Sequence, residues 1–285
     1  MVPAGMAEGA MDVARFFRVH PAEGKFSSIR PLGYTLLGYA VAPIAPVSGI
    51  VLNTLAIAGV LMFAYSLNDY YDHFIGGERN SVGNAIARGR LSAAKALGLC
   101  CAPLLLLPVL LFGVPPVSFV LALALALLCL VYSLPGVALK HTAAQFAAAP
   151  LSAGLLFVQA FLVSGALDAA VLCLLCLVVL NHFVLESLHC LHDAVVEGTY
   201  GRKEAFAARV LRCLPWASAV VSAAFAFVHP VFLVGLAFSL IRVVCLRGFD
   251  PRGAHFRRLR NVFHPVLPTY EYLAYAAVGL LGGFG

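Results

Sequence analysis

Charged residues are scarce in this chain. Only 11% of its 285 residues are Asp, Glu, Lys or Arg, whereas a soluble domain carries roughly 25%. Hydrophobic residues make up 62% of the sequence, and the mean hydropathy is +0.94. So little charge excludes an ordinary soluble globular protein and predicts an integral membrane protein.

Polar segments between the long apolar runs of the sequence are also short and few. A helix that spans a bilayer needs about 20 mostly apolar residues. Nine such runs occur, at about residues 31–47, 49–70, 94–113, 116–134, 144–164, 167–188, 207–228, 229–246 and 267–284. The sequence therefore predicts an all-α polytopic membrane protein, a bundle of about nine transmembrane helices. Residues 29–285 form the transmembrane domain, and residues 1–28 form an N-terminal cytoplasmic surface segment that lacks the apolar core of a cleavable signal.

Lys and Arg are missing from one set of loops. If the nine runs all span the membrane, the 19 Lys and Arg residues fall on one side of it. The positive-inside rule makes that side cytoplasmic, which places the N-terminus in the cytoplasm and the C-terminus on the opposite side. The net charge of +6 then reflects orientation and an anion site, and nucleic acid is not an expected partner.

Paired cysteines of a metal site are lacking. Cys173 and Cys176 have a metal-like spacing, but no second pair of ligands accompanies them. We therefore expect the eight cysteines to be small, buried hydrophobic residues.

Acidic residues number only 13, and two groups of them lie at the predicted cytoplasmic face. The first group, Asn68, Asp69 and Asp72, closes the second run. Its two carboxylates are three residues apart and therefore share one face of a helix. An ionisable group at such a position is costly and indicates function, although a helix end that has reached water would explain these residues too.

The second group is a polar stripe where the sixth run leaves the membrane. Glu186, His189, Asp193 and Glu197 recur every three or four residues, as on one face of a helix. A solvated face is the simpler explanation of such a stripe. Glu186 lies among apolar residues, however, and a helix that lines a water-filled cavity explains it better.

Basic residues follow both acidic groups: Arg88 follows the first, and Arg202 and Lys203 follow the second. Tyr132 and Lys140 end the fourth run on the same side, where an interfacial Tyr and a snorkelling Lys are the alternative. Mg²⁺ is bound by few carboxylates plus substrate phosphates, and Arg and Lys neutralise phosphate. The pattern predicts a site for Mg²⁺ and a diphosphate with a hydrocarbon tail.

These residues resemble the motifs of the UbiA superfamily of intramembrane prenyltransferases. The family's first motif is approximately N-D-x-x-D-x-x-x-D. Asn68, Asp69 and Asp72 match it, Gly76 stands where the last Asp is expected, and Glu78 is expected to substitute for that acid.

Two further segments carry the resemblance. Tyr132-Ser133-x-Pro135, followed by Lys140, is similar to the family's Y-S-x-P-x-K segment. The second acidic motif is usually D-x-x-D-x-x-x-D, followed by a basic stretch. Asp193 and Glu197 fit its last two acids, whereas Cys190 stands at the first, which Glu186 or His189 would have to replace.

The resemblance implies nine transmembrane helices with the active-site loops on the cytoplasmic side. It implies a Mg²⁺-dependent transferase that ionises an isoprenyl diphosphate and transfers the prenyl group to a lipophilic aromatic or alcohol acceptor. The implied metal ligands are Asp69, Asp72, Glu78, Asp193 and Glu197. The implied diphosphate-binding residues are Asn68, Arg88, Lys140, Arg202 and Lys203. The implied catalytic residues are Asp69, Asp72, Asp193 and Tyr132.

Two alternatives remain open on the sequence. A terpene cyclase of the same fold would act on the diphosphate without an acceptor, and the altered acids at Gly76 and Cys190 favour it. A non-catalytic lipid-binding or transport protein is the other alternative. A transporter often has paired repeats and polar residues at the bilayer midplane, whereas these acids cluster at one face.

Overall fold

The described residues are mostly helical. The computed structural model describes residues 11–20, 25–26, 30–42, 46–74, 86, 89, 91–135, 137, 139–165, 167–197, 201–247 and 266–281. Within these ranges each predicted run coincides with a helix. The helices are α1 Leu32–Val41, α2 Val47–Phe74, α3 Ala93–Cys101, α4 Pro116–Ser133, α5 Gln145–Phe161, α6 Ala169–Glu197, α7 Arg202–Phe225, α8 Leu233–Cys245 and α9 Leu267–Leu280.

Short elements of other kinds complete the described residues. Three 3₁₀ segments are present, at Ala102–Phe112, Leu139–His141 and Pro230–Phe232. Near the N-terminus, β1 (Val19–His20) pairs antiparallel with β2 (Lys25–Phe26). The expectation of an all-helical fold is thus met, apart from this pair of two-residue strands.

Four segments in the described part of the chain are long and apolar enough to cross a membrane: Val47–Phe74, Ala93–Phe112, Pro116–Ser133 and Ala169–His192. They make the chain an integral membrane protein. By contrast, α1 has ten residues, or about 15 Å of helix, half of the roughly 30 Å hydrocarbon core. The count of nine spans and the assignment of the loops to sides therefore stay predictions.

The chain divides into two compact units. The first comprises residues 1–32 and 46–140. In it α2 packs against α3, α4 and the 3₁₀ segment Ala102–Phe112. Close approach occurs at Gly59, where a Cβ atom would lie 2.6 Å from the carbonyl oxygen of Pro103. Prolines at 103 and 108 interrupt the α-helical hydrogen bonding here, which explains why the third run continues α3 as a 3₁₀ helix.

The second unit comprises residues 33–45 and 141–285. In it α6 packs against α5 and α7, and α8 packs against α7 and α9. Gly38 of α1 and Gly279 of α9 allow two further close approaches. A Cβ atom would lie 2.5 Å from the carbonyl oxygen of Phe157 at the first, and 2.5 Å from that of Ala40 at the second.

The N-terminal segment contributes to the core of the first unit. Residues 11–16 are helical, and the fully buried Phe16 packs with Ile86, Ala96 and Cys100. The division of the chain at residue 28 stays a prediction. What the structure adds is that Phe16 fixes the segment just before Arg18.

Large apolar side chains face outward in both units. Phe112 is 89% exposed and Phe227 is 95% exposed, as befits surfaces that meet lipid. The eight cysteines are free, but only Cys100 and Cys190 are buried, and Cys101 and Cys213 are exposed. The expectation that every cysteine is buried was wrong, because lipid-facing positions tolerate a small hydrophobic residue as well as the core does.

Candidate active site

The last two turns of α2 carry the first acidic group. Asp69 is buried and Asp72 is partly exposed. Carboxylates near the C-terminus of a helix are unfavourable against the helix dipole, and two like charges on one helix face repel each other. These acids therefore require positive partners, and the first unit supplies two.

Lys140 is the partner of Asp72. Its ammonium group forms an ion pair with Oδ1 of Asp72 and donates a hydrogen bond of 3.0 Å to Oδ1 of Asn68. Nδ2 of Asn68 donates to Oδ2 of Asp72 over 2.7 Å, and the Ser133 hydroxyl donates to Asn68 over 3.5 Å. The structure thus brings together Asn68 and Asp72 of the first acidic group and Lys140 of the segment after α4, which the sequence motifs had predicted to share one site.

Arg18 is the partner of Asp69. Its Nε donates to Oδ2 over 3.0 Å, and its Nη2 donates to Oδ1, which is the two-pronged contact typical of Arg and carboxylate. The guanidinium carbon also lies 5.5 Å from the centre of the Tyr65 ring, within cation–π range. Burial acts to lower the pKa of the Arg18 guanidinium, but the hydrogen bond and charge of Asp69 outweigh it and raise that pKa.

Arg18 was not among the predicted site residues, because the cations of the N-terminal segment were interpreted as topology signals. A backbone feature marks this position. Arg18 has a φ of 53°, in the left-handed region that non-glycine residues seldom occupy. This conformation costs roughly 1 kcal/mol, and the two contacts with Asp69 offset it.

The other predicted site residues are placed as follows. Tyr132 is half-buried in the last turn of α4, Arg202 is exposed and Lys203 is half-buried in the first turn of α7. Asp193 and Glu197 lie in the last two turns of α6, but their side chains are outside the described part. Glu78 and Arg88, with Gly76, also fall outside the described residues, so their roles stay predictions.

Glu186, the first residue of the polar stripe of α6, has a partner within the second unit. Glu186 is buried and accepts a hydrogen bond from Nε2 of Gln145. Cys190, at the position of the missing acid, is also buried. The Tyr34 hydroxyl lies 2.6 Å from Nδ1 of His182.

A buried charge pair, formed by Arg242 and Glu271, contacts α6 at Asn181, one residue before His182. Asn181 donates a 3.0 Å hydrogen bond to Oε1 of Glu271, and Arg242 forms an ion pair with Oε2 of the same carboxylate. Arg242 had been counted among the topology cations, and Glu271 had no assigned role. Their pairing explains both, because each neutralises the other inside the helix bundle.

The oxygen donors of α2 fit Mg²⁺. Asn68, Asp69 and Asp72 offer carboxylate and amide oxygens, the ligands that this ion prefers, and Mg²⁺ typically takes one or two carboxylates with the remainder from water and phosphate. In the described residues no three His, Cys, Asp or Glu side chains gather as a self-sufficient metal cage.

Comparisons with known proteins bear on the fold. No protein-family model and no curated protein sequence matches the chain. A UbiA homologue from Archaeoglobus fulgidus bound to DMAPP and Mg²⁺ superimposes with a TM-score of 0.71 and 18% identity, over 95% of this chain and 99% of that one. The chain has the UbiA fold.

Two further solved structures are similar to the chain. The Archaeoglobus fulgidus homologue bound to GPP and Mg²⁺ gives a TM-score of 0.68 at 18% identity, covering 95% of this chain and 99% of that one. A digeranylgeranylglyceryl phosphate synthase in membranes gives 0.70 at 15% identity, covering 96% and 99%. The expected similarity to UbiA proteins is thereby confirmed for the fold, and the count of nine spans stays a prediction.

Proposed function

We propose that this chain is a Mg²⁺-dependent intramembrane prenyltransferase of the UbiA superfamily. It would ionise an isoprenyl diphosphate and transfer the prenyl group to a lipophilic acceptor, an aromatic compound or an alcohol. One observation carries the proposal: Asn68, Asp69 and Asp72 at the end of α2, each contacted by a cation of the chain. The UbiA homologues bound to DMAPP or GPP with Mg²⁺ support the same chemistry.

In the first unit, the acidic residues would bind Mg²⁺ and the basic residues would bind the diphosphate. Asp69 and Asp72 would hold Mg²⁺, with Asn68 orienting Asp72 through its amide. Lys140 and Arg18 already lie on these carboxylates and are positioned to exchange them for diphosphate oxygens, Arg18 with its fork and Lys140 as a point charge. When bound, Mg²⁺ supplies Lewis-acid stabilisation of the charge that builds on the departing diphosphate.

The remaining assignments follow the sequence motifs. We assign Asp193 and Glu197 as the second acidic group, with Arg202 and Lys203 as further diphosphate contacts. Glu78 and Arg88 have the same proposed roles in the loop after α2, and Tyr132 lies beside the Asn68 partner Ser133. The apolar bundle would keep water from the allylic cation.

The test uses purified protein in nanodiscs with Mg²⁺ and allylic diphosphates of 10, 15 and 20 carbons, with and without a panel of lipophilic phenols and alcohols. We expect diphosphate release that EDTA abolishes and that Asp69→Asn and Asp72→Asn reduce by at least about a hundredfold. Asp168→Asn is the matched control, because Asp168 caps α6 through its Oδ1 and Asn caps equally well. No metal-dependent release with any partner would overturn the proposal.

The same assay separates the alternatives. Release only with one acceptor class identifies a transferase and names its acceptor. Release that yields a cyclic or hydroxylated terpene without acceptor identifies a terpene cyclase. Binding of the diphosphate without turnover in the wild-type protein identifies the lipid-binding or transport alternative.

A further inference from the structure

A groove between α7 and α8 opens on the outer surface of the second unit. It has a volume of about 490 Å³, within the roughly 300–1,000 Å³ of sites that hold small ligands. Its walls are largely apolar and include Leu240, Val243 and Val244 of α8. Val244 is 70% exposed, so the groove continues onto the exposed apolar surface of α8.

One end of the groove carries two arginines. Arg212 comes from α7, and Arg247 lies two residues beyond the end of α8. Both are exposed, and neither forms a recorded ion pair or hydrogen bond with any other side chain in the described part of the chain. Arg242, only five residues before Arg247, by contrast forms an ion pair with Glu271 through its Nη2. The two exposed guanidiniums thus leave positive charge available beside an apolar channel.

Features of α7 place this end at the membrane interface. Trp216 lies one turn after Arg212, lines the groove and is 57% exposed, and Trp is enriched where a membrane meets water. Pro215 also lines the groove. Because proline lacks an N–H, the Leu211 carbonyl one turn earlier loses its usual donor and can accept from a hydroxyl.

We propose that this groove binds one anionic phospholipid. Arg212 and Arg247 hold its phosphate, and its acyl chains lie along the apolar walls between α7 and α8. Basic pockets between transmembrane helices are known to take anionic head groups. A free phosphate would use the arginines alone, whereas a phospholipid uses the whole groove. The proposal is independent of the transferase reaction, because it rests on none of the residues assigned to that site.

Native mass spectrometry of the purified full chain tests the proposal, with phosphatidylglycerol and phosphatidylcholine of the same acyl chains. We expect selective retention of phosphatidylglycerol. Arg212→Gln and Arg247→Gln should each weaken it about fivefold, and the double variant at least about tenfold. Arg209→Gln is the matched control, an exposed arginine one turn earlier on α7 that does not line the groove, and it should change retention less than about twofold.

A second variant tests the apolar part of the groove. Val243→Trp keeps both arginines and fills the channel, so it should also weaken phosphatidylglycerol while the thermal midpoint in detergent is retained. Glycerol phosphate, which has the head-group charge without chains, should not displace the lipid. Equal retention of both lipids, equal losses in the Arg209 and Arg212 variants, or displacement by glycerol phosphate would overturn the proposal.

Discussion

At the scale of single residues, the acids of α2 are held by cations from two distant parts of the sequence. Arg18 reaches Asp69 from the N-terminal segment, and Lys140 reaches Asp72 from the segment after α4. Each carboxylate is therefore neutralised before any metal arrives. A metal that binds these oxygens has to compete with the two side chains, which makes the cations regulators of metal affinity as well as candidate ligands of the diphosphate.

Removing Arg18 should therefore strengthen Mg²⁺ binding in the absence of substrate. The Arg18 side chain is about a third exposed, so we expect a modest gain of about two- to fivefold, corresponding to roughly 0.5–1 kcal/mol. The measurement is a titration of Arg18→Ala with Mn²⁺, followed by electron paramagnetic resonance of the free ion. Arg15→Ala is the control, since Arg15 pairs with Asp12. A weaker affinity, or the same gain in the control, would show that Arg18 does not compete for Asp69.

The sequence predicted this site in part. The three-residue spacing of Asp69 and Asp72 fixed their common face, and Lys140 was expected nearby. Arg18 was not found, because no spacing rule connects it to Asp69: its position depends on the burial of Phe16 and on a left-handed turn. The pairing of Arg242 with Glu271 was not predicted for a related reason, since a cation near a helix end has the same sequence pattern whether it faces water or a buried carboxylate.

At the scale of the helices, the pair of Arg242 and Glu271 joins α8 to α9, and Asn181 adds α6. Both charged side chains are at most 2% exposed. Removing one partner of such a pair typically costs about 3–5 kcal/mol, because it leaves the other charge buried alone, whereas replacing both by apolar residues is often neutral. Variants of this pair therefore test how much the ion pair contributes to the free energy of unfolding of the second unit.

We expect Arg242→Met and Glu271→Leu each to destabilise the protein strongly, and the double variant to recover most of the loss. Unfolding by increasing SDS fraction in mixed micelles measures the three changes in free energy. Arg209→Met is the control for loss of an exposed cation, and it should shift the free energy by less than about 0.5 kcal/mol. Additive losses in the double variant would show that the two side chains do not depend on each other.

Glycine in α1 provides a second prediction for helix packing. A Cβ atom at Gly38 would lie 2.5 Å from the Phe157 carbonyl oxygen and 2.9 Å from Cβ of Ala160, whereas one at Gly33 meets nothing within 4 Å. Gly38→Ala should therefore destabilise by about 1–3 kcal/mol through overpacking. Gly33→Ala, in the same helix, should be neutral or slightly stabilising because Ala favours helix. The same micelle titration decides, and equal effects would contradict close packing at Gly38.

At the scale of the whole molecule, the main prediction concerns how many of the helices cross the membrane. The nine apolar runs all became helices, so helix identity could be predicted from hydropathy. The number of spans could not, because a helix and its apolar run need not coincide. Pro46 separates α1 from α2, and α7 begins five residues before its apolar run, with Arg202 and Lys203 inside the helix. A run of apolar residues shows that a segment avoids water, but only the continuous helix shows whether it reaches across the bilayer.

The two span counts predict different loop positions, which makes them separable. With nine spans, the segment before α3 and the segment before α7 share one side, and the loop before α6 lies on the other. If only the four long segments cross, the segment before α3 and the loop before α6 share a side, and the segment before α7 lies opposite. The positive-inside rule favours the first arrangement, because both basic segments are then cytoplasmic.

Single cysteines at Ala93, Leu167 and Gly201, in a chain whose native cysteines are replaced by serine or alanine, test this in sealed, oriented vesicles with a membrane-impermeant maleimide. All three positions are exposed. We expect Ala93→Cys and Gly201→Cys to react from the cytoplasmic side and Leu167→Cys only from the other. Labelling after detergent lysis confirms that each thiol is reactive, so a cysteine that is not labelled in intact vesicles is on the other side of the membrane and not buried. Ala93 and Leu167 reacting from one side, with Gly201 from the other, would establish four spans and would place the first and second acidic groups on opposite faces, which no single diphosphate site could bridge.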